Sequence, residues 1–218
     1  MVSLKQACHC LGLSGQVSLV RNFFGFWDRV PTDVSVLTQV RRVQGRHVHV
    51  NLITVGNFTT ADRREVSSAL QDMRDTYAQV NLGVGRAQWY YITASQANGR
   101  DHIDSDGEAE ALTDEWTVDN HAMDIFFVLT YSGSTIGLSR VDGPCDKDAK
   151  GMDGSVVAIE GSTSITGLVL AHEAAHYLGL HHVNNSTNLM NPSVPNGGGL
   201  TSGQGNTMRD HCFVNSGC

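Results

Sequence analysis

The segment LVLAHEAAHYLGLHHVNNSTNLMNP (168–192) places His172, His176, His181 and His182 within eleven positions, with Glu173 directly after the first. His172 and His176 are four residues apart. On a helix that spacing stacks two imidazoles on one face, where both can hold one ion. Zinc accepts neutral imidazole nitrogens and takes three or four ligands in a tetrahedron. Glu173 has a different heading, so it can reach a water on the ion, as a general base, rather than the ion itself. Gly179 follows His176 by three residues, and glycine ends helices in the left-handed conformation. Beyond that turn the chain can double back and present one more side chain to the same ion, and both His181 and His182 lie there.

Such a helix needs a rigid frame. RHVHVNLITV (46–55) alternates Val48, Val50, Leu52 and Thr54 on one face, a strand signal. On that reading His47 and His49 face out from the sheet. Val66, Leu70, Met73, Tyr77 and Val80 recur at spacings of four and three, an apolar stripe along a helix. Thr59 with Asp62 forms an N-terminal capping pattern for it. RAQWYYIT (86–93) is the next strand, so strand, helix and strand predict a right-handed crossover in a parallel sheet. AMDIFFVLTY (122–131) is nearly continuously apolar, as in a strand buried on both faces. STIGLSRV (134–141) is shorter and more polar, which fits an edge strand. SVVAIE (155–160) is a last strand, and the histidine helix is expected from Ser162 or Thr163 to about Leu178. DSDGE (104–108) reads as a solvated acidic loop. The interleaving predicts one α/β domain with a mostly parallel sheet. It begins near residue 46, and residues 1–45 read as an N-terminal extension or pro-segment remnant.

HEAAHYLGLHH fits HExxHxxGxxH at every fixed position, and Met190 follows His182 by eight residues. In both features the chain resembles the metzincin clan of zinc endopeptidases, whose motif is followed by a Met-turn. LMNP looks like the turn of the matrixin branch. The resemblance implies an α/β zincin catalytic domain over 46–218. Its parts would be a twisted, mostly parallel sheet with an antiparallel edge strand, a backing helix, an active-site helix, and a small C-terminal subdomain after the motif glycine. The resemblance also implies His172, His176 and His182 as ligands of one catalytic Zn2+, with His181 as the surplus histidine. Glu173 would be the catalytic base, and Met190 would pack beneath the ion. Substrate would lie along the edge strand near Gly137 and Leu138, with Pro192, Ser193 and Val194 shaping the S1′ pocket. Pro192 stands where astacin and serralysin relatives carry a tyrosine, so no such tyrosine is expected. Val183, after the third histidine, leaves the subfamily open. The implied activity is zinc-dependent endopeptidase cleavage of a protein or peptide substrate. A zinc hydrolase of non-protein amides, or a latent or binding protein on the same fold, would share the site.

Composition narrows the partners. The formal net charge is −7 and lysine occurs only at Lys5, Lys147 and Lys150, so there is no basic run and nucleic acid is not expected as a partner. No apolar stretch reaches the length of a membrane span. Residues 1–20 are not a clear signal peptide, but a secreted location is expected. The cysteine count is five, an odd number, so at least one thiol is free or pairs outside the chain. A bridge between Cys145 and Cys212, on either side of the histidine segment, would pin the C-terminal tail; the sequence leaves it open. Cys8 and Cys10 form a weak metal pair, and either thiol could also block the zinc. Asp142, Asp146, Asp148 and Asp153, and separately Asp104, Asp106 and Glu108, offer the oxygen ligands that Ca2+ takes. The oligomeric state is not indicated.

Overall fold

The computed structural model describes residues 45–216 and, before them, three strands at 19–23, 26–29 and 38–40. Cys8, His9 and Cys10 lie outside the described residues. In chain order the strands are β1 (Leu19–Phe23), β2 (Phe26–Arg29), β3 (Thr38–Val40), β4 (Arg46–Val55), β5 (Gly83–Ile92), β6 (His102–Ile103), β7 (Trp116–Val118), β8 (Met123–Val128), β9 (Thr130–Tyr131), β10 (Gly137–Ser139), β11 (Ser155–Ala158) and β12 (Asn215–Ser216). The helices are α1 (Thr60–Ala78), α2 (Ala94–Ala97), α3 (Asp106–Glu115), α4 (Thr163–Tyr177) and α5 (Ser202–Asp210).

The main sheet runs β10-β11-β8-β4-β5-β3. The four inner strands are parallel, and both edges, β10 and β3, are antiparallel to their neighbours. β12 pairs antiparallel with the first residues of β4. Strands β1 and β2 form an antiparallel pair that continues onto β7. This is an α/β arrangement, a mostly parallel sheet with antiparallel edges, as the resemblance implies. No helix among the described residues is long and apolar enough to cross a membrane.

Alternation along β4 separates two cores. Val48, Val50 and Leu52 face the α1 and α4 side, with Val66, Leu70, Met73 and Tyr77 of α1 and Val169 and Leu170 of α4. Ile53 and Val55 face the other side, with Ala109, Leu112 and Trp116. Helix α1 starts at the expected box: the Asp62 N–H donates to Thr59 Oγ1 (3.2 Å) and the Thr59 N–H to Asp62 Oδ2 (2.7 Å). Each bond satisfies a donor that the first helical turn would otherwise leave unpaired. Tyr77 OH donates to Ala171 O (2.9 Å), which ties α1 to the histidine helix. Gly167 of α4 packs directly on the Asp72 side chain, where any Cβ would collide.

Two expectations are corrected. His47 and His49 do not face solvent; both are buried. Both faces of β4 are covered, and β5 makes room for the rings. Gly85 and Arg86 of β5 oppose the single His49, a bulge. A Cβ on Gly85 would come within 3.1 Å of both imidazoles. His49 Nδ1 accepts the Arg86 N–H (3.1 Å), replacing the ladder bond that the bulge removes. The DSDGE stretch is the start of α3 rather than a solvated loop or a calcium loop. Ser105 Oγ accepts the Glu108 N–H, and Glu108 turns back to the Asp104 N–H at 2.8 Å. Ala109, Leu112 and Thr113 form a narrow buried stripe under an otherwise acidic helix.

A buried charged cluster sits between the sheet and the loop after β10. Asp124 accepts bonds from Thr117 Oγ1 and the Val118 N–H, both at 2.9 Å, and pairs with Lys147 Nζ at 3.0 Å. Asp153 accepts Tyr177 OH at 3.2 Å. Burial pushes the Asp153 carboxyl from 3.8 up to about 7, against the pull of Lys147 and with the help of Asp124. The folded chain therefore holds this proton to higher pH than the unfolded chain does. The contribution of the group to stability is full below pH 3.8 and falls as pH rises towards about 7. Asp153→Asn is neutral throughout and removes that fall. In urea unfolding, its stability relative to the parent should rise across this window; an unchanging offset would refute the assignment.

Candidate metal centre

Helix α4 is apolar and almost wholly buried, so its histidines are fixed by packing on several sides. It ends at Gly179, whose φ is 97°. The Leu180 N–H bonds to Ala175 O (3.0 Å) and the Gly179 N–H to His176 O (2.8 Å), the paired closure of a glycine-terminated helix. A second loop seals the same end. The N–H groups of Asp142 and Gly143 donate to His176 O (3.1 Å) and Tyr177 O (2.9 Å), and Tyr177 OH donates to Pro144 O (2.7 Å). Gly143 lies flat on the Tyr177 ring, with no space for a Cβ. The Cys145–Cys212 disulfide, left open by the sequence, is present and ties this loop to the C-terminal tail.

The glycine turn brings His182 back over the helix. His182 Nε2 lies 3.1 Å from His172 Nε2 and 3.0 Å from His176 Nε2. The other ring nitrogens are engaged: His172 Nδ1 donates to Leu189 O (2.7 Å) and His176 Nδ1 to Leu180 O (2.6 Å). A carbonyl has no proton to give, so Nδ1 carries it in both rings and each Nε2 presents a lone pair. Burial, first of all, holds His172 below its usual value and takes His176 down to about 4, so both are neutral at pH 7. His182 Nε2 can stand this close to the two lone pairs either by donating a proton to one of them or by sharing a cation with both. Nitrogen ligands about 2.0–2.1 Å from a tetrahedral ion stand about 3.3 Å from each other, so the cluster fits zinc after a small outward adjustment. His172 and His176 are buried, whereas His182 is exposed, so the cluster opens to solvent on one side. His181 lines the cleft but is not part of the cluster.

Glu173 follows the first histidine and faces the same cleft, which has a volume of about 680 Å³. Burial pushes its carboxyl up to about 8. The edge strand crosses directly above it. A Cβ on Gly137 would stand 2.7 Å from Glu173 Cγ and 2.8 Å from Val169 Cγ1, so only glycine allows this approach. Leu138, Pro192 and Val194 also line the cleft, with Ile136 and Val169, which the sequence reading did not single out. Ser193 is exposed and is not in the lining; its N–H is bound by Asn191 Oδ1 at 3.0 Å. Met190 is fully buried in the larger core, and the preceding residue, Leu189, supplies the carbonyl that orients His172.

The carboxylates suggested for calcium do not gather. Among the described residues the groups able to hold a metal are this histidine triad and the set Cys145, His211 and Cys212, neither containing a carboxylate. Of the residues that shape the centre, Tyr177, Leu180 and Leu189 act through packing or a main-chain carbonyl, which no spacing of residue types signals.

Residues 74–201 of the chain match the matrixin family. Among solved structures, the chain is similar to metalloproteinase-II from Bacteroides fragilis, with 15% identity and a TM-score of 0.48 over 82% of this chain and 58% of that one. It is also similar to the archaemetzincin of Methanopyrus kandleri, with 15% identity and a TM-score of 0.49 over 75% of this chain and 95% of that one. The chain thus spans little more than half the length of the Bacteroides protein. No curated protein matches it. The family match resolves the branch that Val183 alone left open: the chain belongs to the matrixin family, within the metzincin clan of zinc metallopeptidases.

Proposed function

We propose that the chain is a secreted zinc-dependent endopeptidase that cleaves extended protein or peptide substrates. His172, His176 and His182 hold the ion and Glu173 is the general base. One observation carries the reading: the Nε2 atoms of three histidines converge beside the buried Glu173 carboxyl at the foot of an open cleft. When bound, zinc supplies the electrophile that polarises the scissile carbonyl and acidifies water. Burial alone favours the protonated form of Glu173, and the charge of a cation held by the histidines would favour its carboxylate; that carboxylate takes a proton from the attacking water and passes it to the leaving amine. β10 is the outermost described strand on its side of the sheet, so its free edge can pair with a substrate backbone. Ile136, Leu138, Val169, Pro192 and Val194 give the cleft an apolar part beside its serines, threonine and histidines, and no lysine or arginine is among the lining residues. Cleavage is therefore expected before uncharged, apolar residues. The disulfide supports an oxidising location. On this reading residues 46–218 are the catalytic domain and residues 1–45 an extension, whose strand β3 pairs with β5.

The first test is cleavage of a broad peptide library read by mass spectrometry, comparing the parent with Glu173→Ala at equal zinc content. Loss of a general base should lower the rate by about 10²–10⁴-fold. Cleavage of small amides but of no peptide would favour the amide-hydrolase reading, and cleavage of neither would remove the enzymatic one. Ligand identity is tested by competitive metal titration. His182→Ala should lose zinc affinity by more than the roughly 10–100-fold that a supporting hydrogen bond provides, and His181→Ala should keep it. Equal losses would break the assignment. Gly137→Ala separates base from ligands: the added methyl displaces Glu173 and Val169, so peptide cleavage should fall at least tenfold while zinc affinity stays at the parent value. Parental turnover in this variant would show that Glu173 needs no such placement.

A further inference from the structure

We propose that Cys145, Cys212 and His211 form a second, thiol-dependent zinc site, which takes the ion when their disulfide is reduced. The set shares no residue with the three-histidine cluster, and its ligand atoms lie within 4.8 Å of one another. His211 is buried. Its Nε2 donates to Gly143 O at 2.9 Å, so the proton sits there and Nδ1 carries the lone pair. Nδ1 lies 4.0 Å from Cys145 Sγ and 4.0 Å from Cys212 Sγ. Its other partner is the Phe213 N–H at 3.2 Å. Reduction of the bridge would leave two thiols beside this nitrogen, which the Phe213 N–H holds in place.

Two thiolates and a neutral imidazole are a zinc donor set, with the fourth position left to water. With Zn–S of about 2.3 Å and Zn–N of about 2.0 Å, sulfur and nitrogen ligands stand about 3.5 Å apart. The present separations close to that with a shift of about half an ångström, and cleaving the S–S bond frees the sulfurs to part. The chemistry balances. A dithiol reductant gives two electrons and two protons to the bridge and becomes a disulfide itself, leaving Cys145 and Cys212 as thiols. Zinc then displaces both thiol protons to solvent. The loop that seals the end of α4 stays tied to the C-terminal tail in either state, first by a covalent bond and then by the ion. The site does not depend on the proposed peptidase activity.

The test is cobalt titration of the full chain, oxidised or reduced by a phosphine that does not bind metal, with circular dichroism to follow the fold. The oxidised chain should take one Co2+ with no sulfur-to-cobalt charge-transfer band. The reduced chain should take a second Co2+ and show that band. Circular dichroism first establishes that Cys212→Ser, which cannot form the bridge, is folded; this variant should then lose most of the band, and His211→Ala should weaken the second ion at least tenfold. No second ion in the reduced parent overturns the proposal. So does a band unchanged in Cys212→Ser, which would place the thiolates at Cys8, Cys10 or Cys218. A reduced chain that unfolds with the metal present also overturns it, because the ion would then not replace the bridge.

Discussion

His182 Nε2 stands 3.1 Å from His172 Nε2 and 3.0 Å from His176 Nε2, and much of the surrounding structure exists to hold the three rings in that arrangement. The imposing bonds are main-chain carbonyls. Leu180 O fixes the His176 ring and Leu189 O fixes the His172 ring. Both carbonyls come after Gly179, so the turn that delivers His182 also supplies the atom that orients His176. Ligand placement, tautomer and helix termination are therefore one event in the chain. A cation among the three nitrogens would bind all of them at once. This makes the metal a part of the local energetics as well as of any chemistry.

Close approach through glycine is the second device. Gly167 lets α4 lie on Asp72 of α1, Gly143 lets the sealing loop lie on Tyr177, and Gly137 lets the edge strand lie on Glu173. Each lacks a side chain because a neighbour's side chain fills the space. The helix is gripped at its start, its end and its open face by different parts of the chain. The grip at its end reaches deepest: Tyr177 follows His176 directly and bonds to Pro144 O and Asp153, the latter beside the buried Asp124–Lys147 pair. A buried pair of this kind gives little net stability but has one good geometry, which suits a segment whose task is to hold a position.

How much of this could be read from residue types follows from what each pattern encodes. The histidine spacing and Gly179 specify a helix, a turn and a return, and the Nε2 atoms of His172, His176 and His182 do meet. The capping pair at Thr59 and Asp62 and the apolar runs of β4, β8 and β11 are local signals, and they correspond to elements of the structure. The failures have one form. His47 and His49 alternate as a half-exposed strand should, but their burial depends on Gly85, a residue of another strand that is distant in sequence. Helix α3 buries three small or medium side chains under a row of carboxylates, so composition hid its period. Lys147 and Asp153 look like solvated loop charges until Asp124 and Tyr177 are placed against them. Pairings across the sheet, and carbonyls that orient rings, leave no mark in the type of residue that provides them.

The free edge of the sheet adds a further constraint. An exposed edge strand invites pairing with any other chain, and short edges limit that hazard. β3 and β10, the two edges, are three residues long each. They differ in what lies beside them. β3 closes the side away from the histidines, whereas β10 borders the cleft and touches Glu173 through Gly137. An extended segment that pairs with β10 is thereby carried past the carboxylate and the exposed face of His182. With only three residues of ladder to hold it, binding strength must come also from the side chains that line the cleft. On the reading proposed above, the strand therefore sets the line of the substrate, while Val169 and Val194 set which residue of it stops at Glu173.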